Sequence, residues 1–263
     1  MPQADILVIL PTLGDRLEML ADTLATVAEQ RETVDLTLVA VMPTKAVEAR
    51  AMAAAAGAIV VDDPKTGISE AINCGLAVRN GESYYAWIGD DDLFRPGGLR
   101  RLQDLLEVNP KAVLAYGGCD YVDPNGLTIA TSNAGELAKF LLPWGPDLIP
   151  HPGTMIRLDA LMDIGGFDAQ LKYAMDLDAF LKLRSYGTFV NTRETVSAFR
   201  WHPDSLTVAG RLSSSKEAER VKRRHLPRML QPLSPLWHYP WRWASAYAAQ
   251  HVSNRARKLA AAA

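Results

Sequence analysis

The chain has 263 residues, 48% of them hydrophobic and 22% charged, with a formal net charge of −2. That composition suits one large α/β-sized core with a small appendage, and it excludes a disordered or strongly nucleic-acid-like polyelectrolyte. No apolar run approaches the roughly 20 residues that span a bilayer, the two cysteines (Cys74 and Cys119) give neither a disulfide framework nor a zinc spacing, and the absence of a basic leader or signal-type core makes a cytoplasmic location the expectation.

Ile6 to Leu10 is an unbroken apolar run, the pattern of a strand buried on both faces of a parallel sheet. Pro11-Thr12-Leu13-Gly14 ends it, and Leu17, Leu20, Ala21, Leu24, Val27 and Ala28 recur at helical spacing. A strand over Leu36 to Met42, a helix over Thr44 to Ala56 and a strand over Ala58 to Val61 follow, the last closed by Asp62-Asp63-Pro64. Ile68, Ala71, Ile72, Gly75 and Leu76 mark one face of a third helix, and Ser83 to Ile88 forms a fourth strand. Pro96 suits the first turn of a fourth helix reaching about Glu107. This βαβαβαβ alternation predicts a doubly wound, mostly parallel sheet.

Beyond Asn109 the expected elements shorten. Ala112 to Tyr116, Asp120 to Val122 and Leu127 to Thr131 read as strands, with Asp123-Pro124-Asn125-Gly126 as a hairpin turn. Pro143 to Pro152 is a loop, Asp176 to Tyr186 a helix, and Thr195 to Trp201 a final strand. From about Ser213 the chain is helical and basic, broken by Pro227, Pro232, Pro235 and Pro240. From Arg211 onward eleven Lys and Arg face only Glu217 and Glu219, a net of +9, which leaves −11 on the rest. An acidic body with a basic tail implies two surfaces.

The most informative feature is Asp90-Asp91-Asp92 at the end of the fourth strand. Adjacent carboxylates in a poorly solvated place repel one another and call for positive compensation, commonly a divalent cation that also bridges phosphates. In open α/β sheets ligands sit outside the carboxyl ends of the strands. Thr12, Asp62-Asp63 and the aspartate triplet all fall on that edge.

Five stretches in order resemble the inverting glycosyltransferase family 2, of GT-A fold: Pro11-Thr12 with Arg16, Leu20, Leu24 and Gln30; Gly67 to Leu76 with Asn73; Trp87 to Phe94; Pro152-Gly153-Thr154 through Gly165-Gly166-Phe167-Asp168 to Ala174-Met175-Asp176-Leu177-Asp178; and Arg200 to Thr207. The resemblance covers roughly residues 5–208. It implies a catalytic domain over 1–208, with a nucleotide-sugar half (1–109) and an acceptor half (110–208), and a basic, aromatic helical extension over 209–263.

The same resemblance implies the roles. Asp176 is the base that takes the acceptor's proton, at a helix N-terminus that favours an ionised acid. Asp91 or Asp92, with His202, holds Mn²⁺ or Mg²⁺ against the donor diphosphate. Pro11, Thr12, Arg16, Gly67, Asn73, Asp90 and Asp91 line the donor pocket, with Asp90 nearer the ribose. His151, Gly153, Thr154 and Asp178 border the acceptor, and Asp178 also orients its neighbours. Val41-Met42-Pro43-Thr44 lacks the aspartate that often reads the base, so UDP is the first donor expectation, with dTDP and GDP open.

The acceptor implied is a glycan or lipid-linked hydroxyl, in cell-surface polysaccharide or glycolipid synthesis. Trp237, Tyr239, Trp241, Trp243 and Tyr247 with Arg242, Arg255, Arg257 and Lys258 form an aromatic-basic tail. It suits peripheral contact with the inner membrane face, or packing on the domain or in a homodimer. No nucleic-acid module accompanies the charge. The competing functions are a sugar nucleotidylyltransferase, whose glycine- and lysine-rich phosphate loop is absent after the first strand, and an inactive GT-A-like binding protein. A dehydrogenase is disfavoured by the missing glycine fingerprint.

Overall fold

The computed structural model describes residues 4–133, 135–201, 211–237 and 239–241. Strands β1 (Ile6–Pro11), β2 (Leu36–Met42), β3 (Ile59–Asp62) and β4 (Tyr84–Trp87) run parallel in the spatial order β3-β2-β1-β4. Helices α1 (Leu17–Gln30), α2 (Val47–Ala55) and α3 (Ile68–Ala77) connect them. After β4 come the two-residue β5 (Leu93–Phe94), helix α4 (Gly98–Val108), and strands β6 (Ala112–Val122) and β7 (Thr128–Ser132). Then follow α5 (Gly135–Leu141), β8 (Thr154–Arg157), α6 (Leu158–Asp163), α7 (Met175–Leu183), β9 (Thr188–Arg200) and α8 (Arg211–His225).

One nine-stranded sheet joins all of this, in the order β3-β2-β1-β4-β8-β6-β9-β5, with β7 on β6. β8 is antiparallel to both β4 and β6, β6 and β9 are parallel, and β5 is antiparallel to β9. The sheet is thus parallel in its first half and mixed beyond. The continuous apolar strands explain the layering. Leu7, Ile9, Val39, Val41 and Tyr85 face one core with α3, α6 and α7, whereas Ile6, Val8, Leu10, Leu38, Ala40 and Met42 face another with α1, α2 and α4. Because side chains alternate along a strand, burial on both faces demands an unbroken apolar run.

Several boundaries differ from the sequence expectation. The two short strands expected around Gly117-Gly118 are a single 11-residue strand. The glycines are there for space, since a Cβ on Gly117 would lie 2.7 Å from the Val196 methyls. β9 begins at Thr188, not Thr195, and α4 begins two residues after Pro96, where Gly97 adopts φ 66°. The elements β5, α5, β8 and α6 went unanticipated because each has seven residues or fewer, too short to show a period.

Gln30 ties the layers near the site. Its Oε1 accepts from Leu99 N at 3.1 Å and its Nε2 donates to Arg95 O at 3.1 Å, so α1 caps α4 with a buried amide. Among the described residues no helix is long and apolar enough to cross a membrane.

Candidate active site

Ile88 to Asp92 carries the chain from β4, inside the parallel half, to β5 on the far edge against Ala198 and Ser197 of β9. The aspartates therefore lie where the sheet changes partner, the place where α/β folds open a crevice. Asp90 and Asp92 are 3% and 1% exposed, and Asp91 is half-buried.

Each aspartate has a different surrounding. Thr12, just past β1, donates its hydroxyl to Asp90 Oδ2 at 2.5 Å and accepts from Gly14 N at 2.9 Å. Arg16 donates to Asp90 Oδ1 and to Asp91 Oδ2, both at 2.6 Å. Burial pushes the Asp90 carboxyl up to about 6 against the opposing pull of Thr12 and Arg16, with Asp91 adding to the rise. Asp92 is raised well above the carboxylate range by burial and then by the charge of Asp91. Its Oδ1 accepts a long hydrogen bond of 3.4 Å from Arg200 N.

The backbone of this turn is clamped from both sides. Thr23 of α1 donates to Asp92 O at 2.8 Å, and Arg200 at the end of β9 donates to Asp91 O at 3.1 Å and Pro124 O at 2.8 Å while pairing with Asp22. Sequence reasoning gave Arg200 no role. The sequence carried no signal for it, because Arg200 is buried beside the aspartates only through a contact spanning 108 residues of chain.

Asp91 and Asp92 have an arrangement suited to a cation. A Cβ on Gly89 would fall 2.9 Å from Asp91 Oδ1 and 3.0 Å from Asp92 Oδ2, so both oxygens bend over the same point. Two hard carboxylate oxygens converging at a strand end, one of them on a carboxyl raised first by burial and then by its neighbour's charge, fit Mg²⁺ or Mn²⁺. Among the described residues no group of three His, Cys, Asp or Glu is assembled as a metal site. His202, assigned to that site from the sequence, lies outside the described residues, as does the tail from residue 242.

Asp176 is the second residue of α7, and its Oδ1 accepts from Leu177 N at 2.7 Å. It is half-buried by surface area, with enough protein around its carboxyl for desolvation to act on it. Desolvation first, and then the negative charge of Asp147, lift it to about 7. Asp147 itself keeps exposed surface yet rises to about 6 through desolvation, opposed by Lys222. A carboxyl near 7 is poised to accept a proton at neutral pH. Ser69, at the start of α3, fastens this corner by donating to Leu171 O at 2.6 Å and contacting Met175 Sδ at 3.1 Å.

Four residues assigned to the acceptor border also have structural work. His151 stacks on Trp87 at 4.3 Å between centroids and 12° between planes, and burial drops its pKa to about 3, so it is a neutral core ring. Thr154 is fully buried and donates to His151 O at 2.7 Å. Gly153 is buried where a Cβ would meet Ser197 Oγ at 3.0 Å. Asp178 is buried and paired with Lys182 at 2.7 Å and His225 at 2.8 Å; these partners outweigh desolvation and lower its pKa. His151, Thr154 and Asp178 thus spend polar atoms on partners within the protein, and Gly153 contributes only backbone.

Asn73 is likewise engaged, donating to Phe167 O at 2.8 Å and accepting from Phe167 N at 3.0 Å. That pair mimics a strand ladder and uses one donor and one acceptor of an amide that has two of each. Gly67 adopts φ 132° at the start of α3, with nothing within 4 Å of a built Cβ. Pro11 closes β1 and is buried. Two surface hollows of about 310 and 390 Å³ lie at α8 with Ser234 and Tyr239, and at α6 and α7 with His225; neither is lined by the aspartates.

An alignment 124 positions long, taking in 44% of this chain, is 27% identical to an uncharacterized glycosyltransferase of Rickettsia bellii (strain RML369-C), of which it covers 18%. A second, from Rickettsia felis, is 26% identical over 124 residues, which are 20% of its length. The chain thus spans about a fifth of these curated relatives. Among solved structures, S. aureus TarS 1-349 with UDP-GlcNAc aligns with 86% of this chain and 69% of its own, at a TM-score of 0.65 and 13% identity. The mannosyltransferase PcManGT from Pyrobaculum calidifontis, in complex with GDP-Man and Mn²⁺, aligns with 99% and 76%, at 0.65 and 16%. These two establish the GT-A fold. The model of glycosyl transferase family 2 matches residues 7–165, from β1 through the aspartate turn to the end of α6, and the chain belongs to that family.

Proposed function

We propose that the chain transfers a sugar from a nucleotide-diphosphate donor to a hydroxyl of a glycan or lipid-linked acceptor, with inversion and with dependence on Mn²⁺ or Mg²⁺. The observation that carries the proposal is the division of labour among carboxylates. Asp91 and Asp92 bend over Gly89 as a pair, whereas Asp176 stands apart with a pKa of about 7.

Asp91 and Asp92, with His202, would hold the cation. When bound, the cation supplies electrostatic stabilisation of the charge that builds on the leaving diphosphate. Asp90, held by Thr12 and Arg16, faces the ribose side, and the open backbone at Gly67 leaves room for the donor. Asp176 takes the proton of the attacking hydroxyl, on the face of the sugar opposite the leaving group. UDP is the donor nucleotide expected first. The ligands named for the two structural neighbours, UDP-GlcNAc and GDP-Man with Mn²⁺, support a nucleotide-sugar donor. Peripheral membrane contact or homodimerisation through the aromatic-basic tail remains part of the same proposal, since a lipid-linked acceptor would give it a purpose.

Thermal-shift titration with UDP and GDP, each with and without Mn²⁺, tests it. Binding stabilises by RT ln(1 + [L]/Kd), so one nucleotide should raise the midpoint only with metal, and Asp92→Asn should abolish that rise. Asp176→Asn should bind as well as the parent but lose transfer. A full turnover rate in Asp176→Asn would remove the base from the mechanism.

A further inference from the structure

Helix α7, which carries Asp176, starts after Ala174, a residue with no side-chain oxygen to cap it. The amides ahead of it nevertheless share one acceptor. Glu217 Oε1, on α8, lies 3.0 Å from Lys172 N, 2.6 Å from Tyr173 N and 2.9 Å from Ala174 N. Three N–H groups converging on one carboxylate oxygen form an anion nest, and the charge also meets the positive end of the helix.

Two more ties follow along α8. Lys222 is buried and donates to Gly145 O, beside Asp147, and His225 meets Asp178 at 2.8 Å. Val221, fully buried, joins the apolar cluster of α7. Glu217 and Glu219 are the sole acids from Arg211 to the C-terminus, so an acid at this spot is not a product of abundance.

We propose that Glu217 is a positioning residue for Asp176, so that the basic C-terminal helix completes the catalytic site. This rests on the reading of Asp176 as the base. The groups that face Asp176 electrostatically are Asp147 from the loop after α5, Glu217 from α8 and the Tyr85 hydroxyl from β4, with Lys222 acting on it through Asp147. Glu217 therefore does two things: it holds the segment leading into α7 in place, and its charge makes Asp176 a stronger base.

Carboxyl ¹³C NMR titration of the full chain reads this without turnover, with the Asp176 signal assigned by its loss in Asp176→Asn. Glu217→Gln keeps an oxygen for the three amides but removes the charge. Asp176 should then titrate at lower pH than in the parent, while Tyr173 and Ala174 amides stay protected from hydrogen exchange. Glu217→Ala removes the acceptor, and exchange at those amides should rise about fivefold or more. An Asp176 titration that stays in place in Glu217→Gln overturns the proposal, as does unchanged amide exchange in a folded Glu217→Ala. Should Glu217→Ala fail to fold, the Glu217→Gln titration decides alone. Retained transfer by Asp176→Asn would sink the base assignment and leave the titration result standing, so the two failures are distinguishable.

Discussion

The guanidinium of Arg16 sits 2.6 Å from Asp91 Oδ2, reaching from the loop before α1 across 75 residues of sequence. With its second contact to Asp90 it sets one positive charge against two carboxylates of the strand-end triplet. Arg16→Ala should destabilise the metal-free protein by about 1–2 kcal/mol, between the values for exposed and buried pairs. Mn²⁺ should recover part of that loss by supplying the missing positive charge. Urea midpoints of both proteins with and without Mn²⁺ check it, and an equal metal response in the two would contradict it.

Gly89 should tolerate no side chain. A methyl there would press on Asp91 Oδ1 and Asp92 Oδ2 at 2.9 and 3.0 Å. Gly89→Ala should weaken Mn²⁺-dependent nucleotide binding about tenfold or more, the scale for disturbing the support of metal ligands. Circular dichroism should be unchanged. Calorimetric titration of UDP with Mn²⁺ measures the effect.

Asp147 and Asp176 set a pH dependence. Both folded pKa values, about 6 and about 7, lie above the ordinary carboxylate value. The folded state then binds more protons than the unfolded chain between pH 4 and 7, so their contribution is present below pH 4 and lost as pH rises through 6 to 7. Asp176→Asn should flatten the upper part of that decline and raise the thermal midpoint at pH 8 relative to the parent. Melting curves from pH 4 to 8 show the sign directly.

Asn73 should prove structural. Its two hydrogen bonds to Phe167 hold α3 against the Gly165-Gly166 turn. Asn73→Ala leaves both backbone groups without that partner and should cost about 1–3 kcal/mol. Nucleotide affinity should change less than twofold; a large loss of affinity at unchanged stability would restore Asn73 to the donor pocket.

What could be read from the sequence is local in origin. β1, β2 and the aspartate turn follow from unbroken apolar runs and the polar residues ending them, because burial on both faces of a parallel strand leaves that pattern in any short window. The resemblance of five ordered stretches added the family. Tertiary structure decided which polar groups are spent internally. His151 lies against Trp87 across 64 residues of chain, Asn73 pairs with a backbone 94 residues away, and Glu217 reaches amides 43 to 45 residues before it. No periodicity records such pairings, since a hydrogen bond constrains positions in space and not spacing along the chain. The tail shows the same division: its charge was evident in the sequence, but only packing reveals that one of its two acids caps the helix of Asp176.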